Sequence, residues 1–142
     1  MKVRDIMVSD VKTIDKESTI QEAADLMSQN SIGSLIVVED SRVIGIITER
    51  DILNKVVAES KNASKTFVKD IMTREVIMIR PDADIEDAVD VMMEKRIKKL
   101  PVVEGNALVG IITSMDVCTA SPKALEKLGE ILLLSKKKIV AG

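Results

Sequence analysis

The sequence predicts a mixed α/β (α+β) protein made of two copies of one β-α-β-β-α unit, packed about a pseudo-two-fold axis. Three observations carry this expectation. The chain matches itself at a constant offset of 65 residues, without a gap. Within each copy, apolar spacing switches between helical and strand-like periods in the same order. Each copy also holds two apolar strands joined by a hairpin-length connection, Asp40-Ser41-Arg42 or Gly105-Asn106. Two copies are too few for a solenoid. A unit of about 60 residues buries too little surface to be comfortable alone. The copies are therefore expected to pack on each other.

Each element follows from its residues. Val3-Arg4-Asp5-Ile6-Met7 returns as Val68-Lys69-Asp70-Ile71-Met72, a short helical turn in both copies, with Asp5 and Asp70 read as capping groups. Short strands are expected over 11–14 and 76–79. The next helix is capped by Thr19 with Glu22 three residues on, and in the second copy by Asp84 with Asp87 three on. Its apolar face is Ile20, Ala23, Ala24 and Met27, at i, i+3, i+4 and i+7; Ile85, Ala88, Val89 and Met92 repeat it. Strands over 34–39 and 43–48 correspond to 99–104 and 107–113, and a last helix begins at Thr48 or Thr113. Polar residues from Glu59 to Thr66 read as the linker. The expected domains are 1–65, first repeat with linker; 66–121, second repeat; and 122–142, a helical tail. Pro122 suits a first helical position. In the tail Leu125, Leu128 and Leu132 share one face, widened by Ile131, Leu133 and Leu134, and Lys136-Lys137-Lys138 follow. A helix packed on its own core or on a dimer mate accounts for that pattern. Partner docking, a membrane surface and a nucleic-acid contact are the other roles it fits.

Composition narrows the function classes. Of 142 residues 46% are apolar, but Phe67 is the sole aromatic, so the core must be Ile, Val, Leu, Met and Ala. Met7, Met72, Met92, Met93 and Met115 are accordingly read as core filler, and Cys118 as a small buried apolar residue. One cysteine forbids an internal disulfide, and the lack of histidine removes imidazole from base catalysis and metal binding. A net charge of −2 with signs interspersed disfavours a nucleic-acid binder. No apolar run reaches the roughly 20 residues of a membrane span, and the N-terminus lacks a signal-peptide core, so a cytoplasmic location is expected.

The stretch that suggests a function is Gly45-Ile46-Ile47-Thr48-Glu49-Arg50-Asp51, which returns as Gly110-Ile111-Ile112-Thr113-Ser114-Met115-Asp116. Each reads as a buried strand running into a helix, with a hydroxyl at the helix start and a carboxylate three residues on. Helix starts carry unpaired N–H groups and attract polar ligand groups. An Asp at this place suits a ribose, since one carboxylate can accept from two neighbouring hydroxyls. The same pattern is also a variant capping box, and the two roles are compatible. No nucleophile–base pair, glycine-rich phosphate loop or metal cluster is readable, which argues against catalysis.

Taken together, Asp5-Ile6-Met7 and Asp70-Ile71-Met72, Ile97-Lys98-Lys99-Leu100-Pro101-Val102-Val103, and both Gly-Ile-Ile-Thr-x-x-Asp stretches make the chain resemble a tandem pair of CBS domains, a Bateman module, from Val3 to about Ala120. The resemblance implies a regulatory module binding adenosine-containing ligands, such as AMP, ADP, ATP or S-adenosylmethionine, in two clefts between the repeats. Thr48 and Thr113 would meet phosphate or ribose, and Asp51 and Asp116 the ribose hydroxyls. Val11, Thr13, Ile14, residues 32–36 (Ile32 and Ser34 among them), Val76, Met78, Ile79 and residues 97–101 (Ile97 to Pro101) would frame the base. Lys98 and Lys99 would face phosphates, with Arg50 a further cation. The copies differ in charge here: Gly33-Ser34 stands where the second has Lys98-Lys99, Met115 stands where the first has Arg50, and Arg96 is added. Unequal clefts are expected. The resemblance also implies a homodimer; no cofactor is expected, and output would go through an unknown partner protein or an oligomer. The competing readings are an interaction protein with vestigial clefts and a nucleic-acid-associated protein using the lysine tail.

Overall fold

The computed structural model describes residues 1–129. The first half runs α1 (Val3–Ile6), β1 (Thr13–Asp15), α2 (Ile20–Asn30), β2 (Ser34–Glu39), β3 (Arg42–Thr48) and α3 (Glu49–Ile52), which continues as a π-helical turn over Leu53–Val57. A 3-10 turn, Ala63–Lys65, and α4 (Val68–Ile71) lead into the second half: α5 (Ile85–Lys95), β4 (Lys99–Glu104), β5 (Ala107–Thr113) and α6 (Ser114–Ala120). Residues 122–129 are helical. The fold is mixed α/β, as the alternating periods require.

The chain forms two compact units: Val11–Val76, and Met1–Asp10 with the chain from Ile77 onward. They cut across the sequence repeats. Each unit contains most of one repeat and the short leading helix of the other. The hydrogen bonds that seat these helices correspond one for one. In the first-named unit Val68 N–H donates to Ser18 O (2.8 Å), Lys69 N–H to Lys16 O (3.0 Å) and Ile20 N–H to Thr66 O (2.8 Å). In the other, Val3 donates to Ala83 O (2.8 Å), Arg4 to Pro81 O (3.0 Å) and Ile85 to Met1 O (3.1 Å). The stretch read as a linker is therefore built in: its Thr66 carbonyl starts α2, and Ala63 packs on the core.

Each unit has its own core. In the Val11–Val76 unit, β1 runs parallel to β2 and β2 antiparallel to β3. Ile14, Ile20, Ala23, Met27, Leu35, Val37, Ile47, Val56, Val68, Ile71 and Met72 are buried together. The hairpin closes through Asp40 (φ 51) and Ser41 (φ 68), the two positive φ values of a type I′ turn, so Arg42 belongs to the strand rather than the connection. In the other unit β4 pairs antiparallel with β5, and Val3, Ala88, Met92, Leu100, Val102, Ile112, Val117 and Leu128 form the core. The strand expected over 76–79 reduces to one bridge, Ile79 to Val102, and its counterpart is the three-residue β1.

Caps follow the sequence. Thr19 accepts from Glu22 N–H (3.2 Å) and Glu22 accepts in return from Thr19 N–H (3.3 Å). Asp87 accepts from Asp84 N–H (3.2 Å), while the Asp84 carboxylate holds Lys2 (2.9 Å). That ammonium keeps the Asp84 carboxyl below its usual range. Asp5 accepts from Lys2 N–H (2.8 Å) as a first-turn acid of α1; Asp70 makes no such side-chain bond among the described residues. In helix 122–129 Leu128 is buried and Leu125 is 52% exposed, so the apolar face is Ala124 and Leu128, not Leu125 with Leu128. Leu132 and the lysine run lie outside the described residues. Met72 and Met92 are core filler and Met7 and Met93 pack on its edge, but Met115 is 66% exposed. Cys118 is half-buried, and burial raises its thiol pKa.

Each exchanged helix is locked at one glycine. A Cβ on Gly45 would lie 2.6 Å from Met72 Sδ and 3.0 Å from Thr73 O; on Gly110 it would lie 2.7 Å from Met7 Sδ and 3.0 Å from Val8 O. The thioether can swing away, but the carbonyls cannot, because Ile46 N–H donates to Thr73 O and Ile111 N–H to Val8 O (both 2.9 Å). Gly45→Ala is therefore expected to destabilise the protein by about 1–3 kcal/mol, as overpacking does. Urea unfolding of Gly45→Ala, Met72→Ala and the double variant checks this: the double variant should lose less than the sum of the two single losses, because the new methyl then no longer meets the thioether.

Candidate functional site

The two Thr-x-x-Asp stretches fold alike because the same local chemistry acts in both. β3 and β5 end at a threonine with extended backbone, and a helix starts at the next residue. Thr48 Oγ1 accepts from Asp51 N–H (3.1 Å), and Asp51 Oδ2 accepts from Thr48 N–H (3.1 Å). In the other unit Asp116 N–H donates to Thr113 Oγ1 (3.1 Å), and Thr113 N–H to Asp116 Oδ2 (2.9 Å). Both are reciprocal capping boxes, and both aspartates are half-buried. The first N–H of each helix is also satisfied: Glu49 donates to Gly33 O (2.9 Å) and Ser114 to Lys98 O (2.8 Å). The entries to β2 and β4 are thus pinned beside the helix starts.

This places the expected residues in two sets, each within one unit. In the Val11–Val76 unit, Ser34 pairs in register with Thr48, and Thr13 and Ile14 with Ile36 and Val37. Ile32 N–H closes on Met27 O (3.0 Å) after Ser31 turns the chain with φ 53. In the other unit Lys99 pairs with Thr113, and Ile79 N–H donates to Pro101 O (3.0 Å). Ile97 N–H donates to Met92 O (3.1 Å), after the left-handed Arg96. Lys98, Lys99, Met78 and Arg50 are exposed, whereas Ile14, Ile79 and Pro101 are buried.

The two sets differ electrostatically in ways the sequence reading only partly anticipated. Lys55 Nζ lies 3.1 Å from Asp51 Oδ1 and donates to Ile71 O (3.1 Å). The residue in that place of the second repeat is Ala120, and Asp116 forms no ion pair among the described residues. Glu49 lies over Gly33, where a Cβ would meet its Oε1 at 2.9 Å. The second repeat has Ser114, buried, against Lys98. One helix start therefore carries Glu49, Arg50, Asp51 and Lys55, two charges of each sign. The other carries Asp116 with Lys98 and Lys99. The sequence reading missed Lys55, for which the i,i+4 spacing from Asp51 was the available signal; the Ile71 carbonyl left no such signal, because it depends on tertiary contact. Among the described residues no cluster of His, Cys, Asp and Glu could hold a metal ion. None of their helices is long and apolar enough to cross a membrane.

A family model described as the CBS domain matches residues 3–58 and again 68–123. The chain belongs to the CBS domain family. As a CBS pair it is a regulatory module. It is 37% identical to the CBS domain-containing protein YhcV of Bacillus subtilis over 115 residues, covering 81% of each chain. It is 38% identical over 124 residues to protein MK0525 of Methanopyrus kandleri, covering 86% of this chain but 63% of that one. Against inosine-5'-monophosphate dehydrogenase of Thermoplasma acidophilum, 37% identical over 115 residues, it spans only 22% of the relative's length and 80% of its own. Among solved structures it resembles the CBS domain pair of protein MJ0100 in complex with 5-methylthioadenosine and S-adenosyl-L-methionine, with TM-score 0.74, 31% identity, and coverage of 84% of this chain and 94% of that one. It also resembles Hypoxic Response Protein I with two coordinated zinc ions, with TM-score 0.78, 28% identity, and coverage of 86% and 100%.

The capping role of this CBS pair's threonines can be measured apart from any ligand. Thr113→Ala should lower stability by about 1 kcal/mol, and Thr113→Ser by less, since serine caps as well. Chemical unfolding of the two variants is the check.

Proposed function

We propose that this CBS pair is a non-catalytic sensor in the cytoplasm that binds adenosine-containing ligands, with AMP, ADP, ATP and S-adenosylmethionine as the candidate class. The observation that carries this is the duplicated helix start in which a capped, half-buried Asp retains carboxylate acceptor capacity. In each box one oxygen accepts the threonine N–H. The other faces a different environment in each unit: Lys55 for Asp51, and no ion-pair partner among the described residues for Asp116. A ribose presents two adjacent hydroxyl donors, which one carboxylate can accept. Thr48 and Thr113 would add a hydroxyl toward ribose or phosphate. Thr13, Ile14, Ile32 and Ser34 would frame the base in one unit, and Met78, Ile79, Ile97 and Pro101 in the other.

Charge assigns the phosphate. Lys98 and Lys99 give the Asp116 set a positive balance, while Glu49 offsets Arg50 near Asp51. Phosphate recognition needs such cations. The Asp116 set is thus the one proposed to take the phosphorylated ligand. The two adenosine compounds in the MJ0100 complex support this class of ligand. Output would pass through a partner protein or through a homodimer. Leu53 and Val57, 58% and 62% exposed on the π-helical turn, would contribute apolar surface to that dimer. Light scattering at micromolar concentration should return twice the chain mass.

Losing a charge-assisted hydrogen bond costs about 1.5–3 kcal/mol, so Asp116→Ala should weaken AMP binding roughly 10- to 150-fold. Calorimetry with AMP, ATP and S-adenosylmethionine on wild type, Asp51→Ala and Asp116→Ala tests the proposal. No binding of any of the three to the wild type at millimolar concentration would reject it in favour of an interaction protein. Binding that ignores both substitutions would leave the two boxes as caps alone.

A further inference from the structure

We infer that Lys55 is a built-in competitor for the ribose at Asp51, so that adenosine ligands fill the Asp116 site first. The inference rests on the adenosine reading above and adds the residue that ranks the two sites. Its basis is a contact made, among the described residues, in one unit only. Asp51 is 13% exposed, and its Oδ2 already accepts the Thr48 N–H. Its Oδ1 forms an ion pair with Lys55 Nζ, 3.1 Å away. A diol reaching this carboxylate must share or displace an ammonium that is itself a hydrogen-bond donor.

Lys55 is more than an ordinary i,i+4 surface pair, which contributes little when both partners are free to move. Its Nζ is held a second time, by the Ile71 carbonyl at the end of α4, also at 3.1 Å. That carbonyl comes from the helix that the second repeat supplies to this unit, so the ammonium is fixed from outside its own helix. It also sits on the π-helical turn Leu53–Val57, a departure from α geometry that α6 lacks. Two contacts, the ion pair and the carbonyl, hold the Lys55 ammonium beside Asp51 even though its side chain is 46% exposed. Glu49, beside Gly33, adds negative charge on the same side and further discourages an anionic ligand. In the other unit the place of Lys55 is taken by Ala120, and that of Glu49 by Ser114, so neither aligned position supplies the obstacle.

The test isolates one site at a time. On an Asp116→Ala background, calorimetry with AMP and with S-adenosylmethionine reads the Asp51 site with Lys55 and with Lys55→Met, which keeps the aliphatic stem. The expected result is a roughly 5- to 50-fold gain in affinity on Lys55→Met. Unchanged or weaker binding would overturn the inference while leaving the adenosine reading intact. Should Lys55→Met not fold, the reciprocal graft decides: Ala120→Lys on an Asp51→Ala background should weaken the Asp116 site, and unaltered affinity there overturns the inference. If neither ligand binds the wild type or any variant at millimolar concentration, the adenosine reading falls and this inference with it.

Discussion

The rest of the structure depends on a missing Cβ. At Gly45 and at Gly110 a strand approaches the segment following a short helix so closely that any side chain would strike a carbonyl at 3.0 Å. The gap lets a pair of backbone hydrogen bonds form, Ile46 with Thr73 and Val8 with Ile111, and admits Met72 or Met7 against the strand. Because each short helix comes from the opposite repeat, neither repeat completes its core from its own residues. Val68, Ile71 and Met72 enter one core and Val3 the other. This is the physical form of the size limit on small units: about 60 residues leave too little buried apolar surface, and exchange of one element joins two marginal folds into a single chain.

The residues that cap the two helix starts are also the ones proposed to meet a ligand. A threonine that ends a strand and a carboxylate three residues later satisfy each other's N–H groups, so the aspartate is held in one orientation before any ligand arrives. Preorganisation of that kind reduces the ordering cost of binding. Duplication then allows divergence around a fixed frame. Gly33 with Glu49 and Lys98 with Ser114 keep the same backbone hydrogen bond while reversing the local charge.

Much of this was legible in the residues. The 65-residue offset, the i, i+3, i+4, i+7 faces of α2 and α5, and the strand limits of β2, β4 and β5 all follow from local periodicity. So do the Thr19, Thr48 and Thr113 caps, since a cap is a contact between residues three apart. The Thr-x-x-Asp aspartates stood out for the same reason. Charge differences between copies, such as Arg50 against Met115, needed only alignment of the chain on itself.

What required tertiary structure were the contacts set by residues distant in sequence. Periodicity could not tell that the leading helix of each repeat packs in the other unit, because its own segment carries the same apolar pattern wherever it docks. Nor could it separate Leu125 from Leu128, which a helical wheel places close together but which the core divides into exposed and buried. Met115 looked like core filler until α6 turned it outward. The i,i+4 spacing of Asp51 and Lys55 was a signal the sequence reading did not use, and the Ile71 carbonyl that fixes the lysine comes from sixteen residues away. The sequence by itself determined the elements, their caps and the duplicated aspartates, because those depend on neighbours along the chain. Tertiary structure alone decided which repeat closes which core, and which carbonyl anchors the lysine beside Asp51, because those depend on neighbours in space.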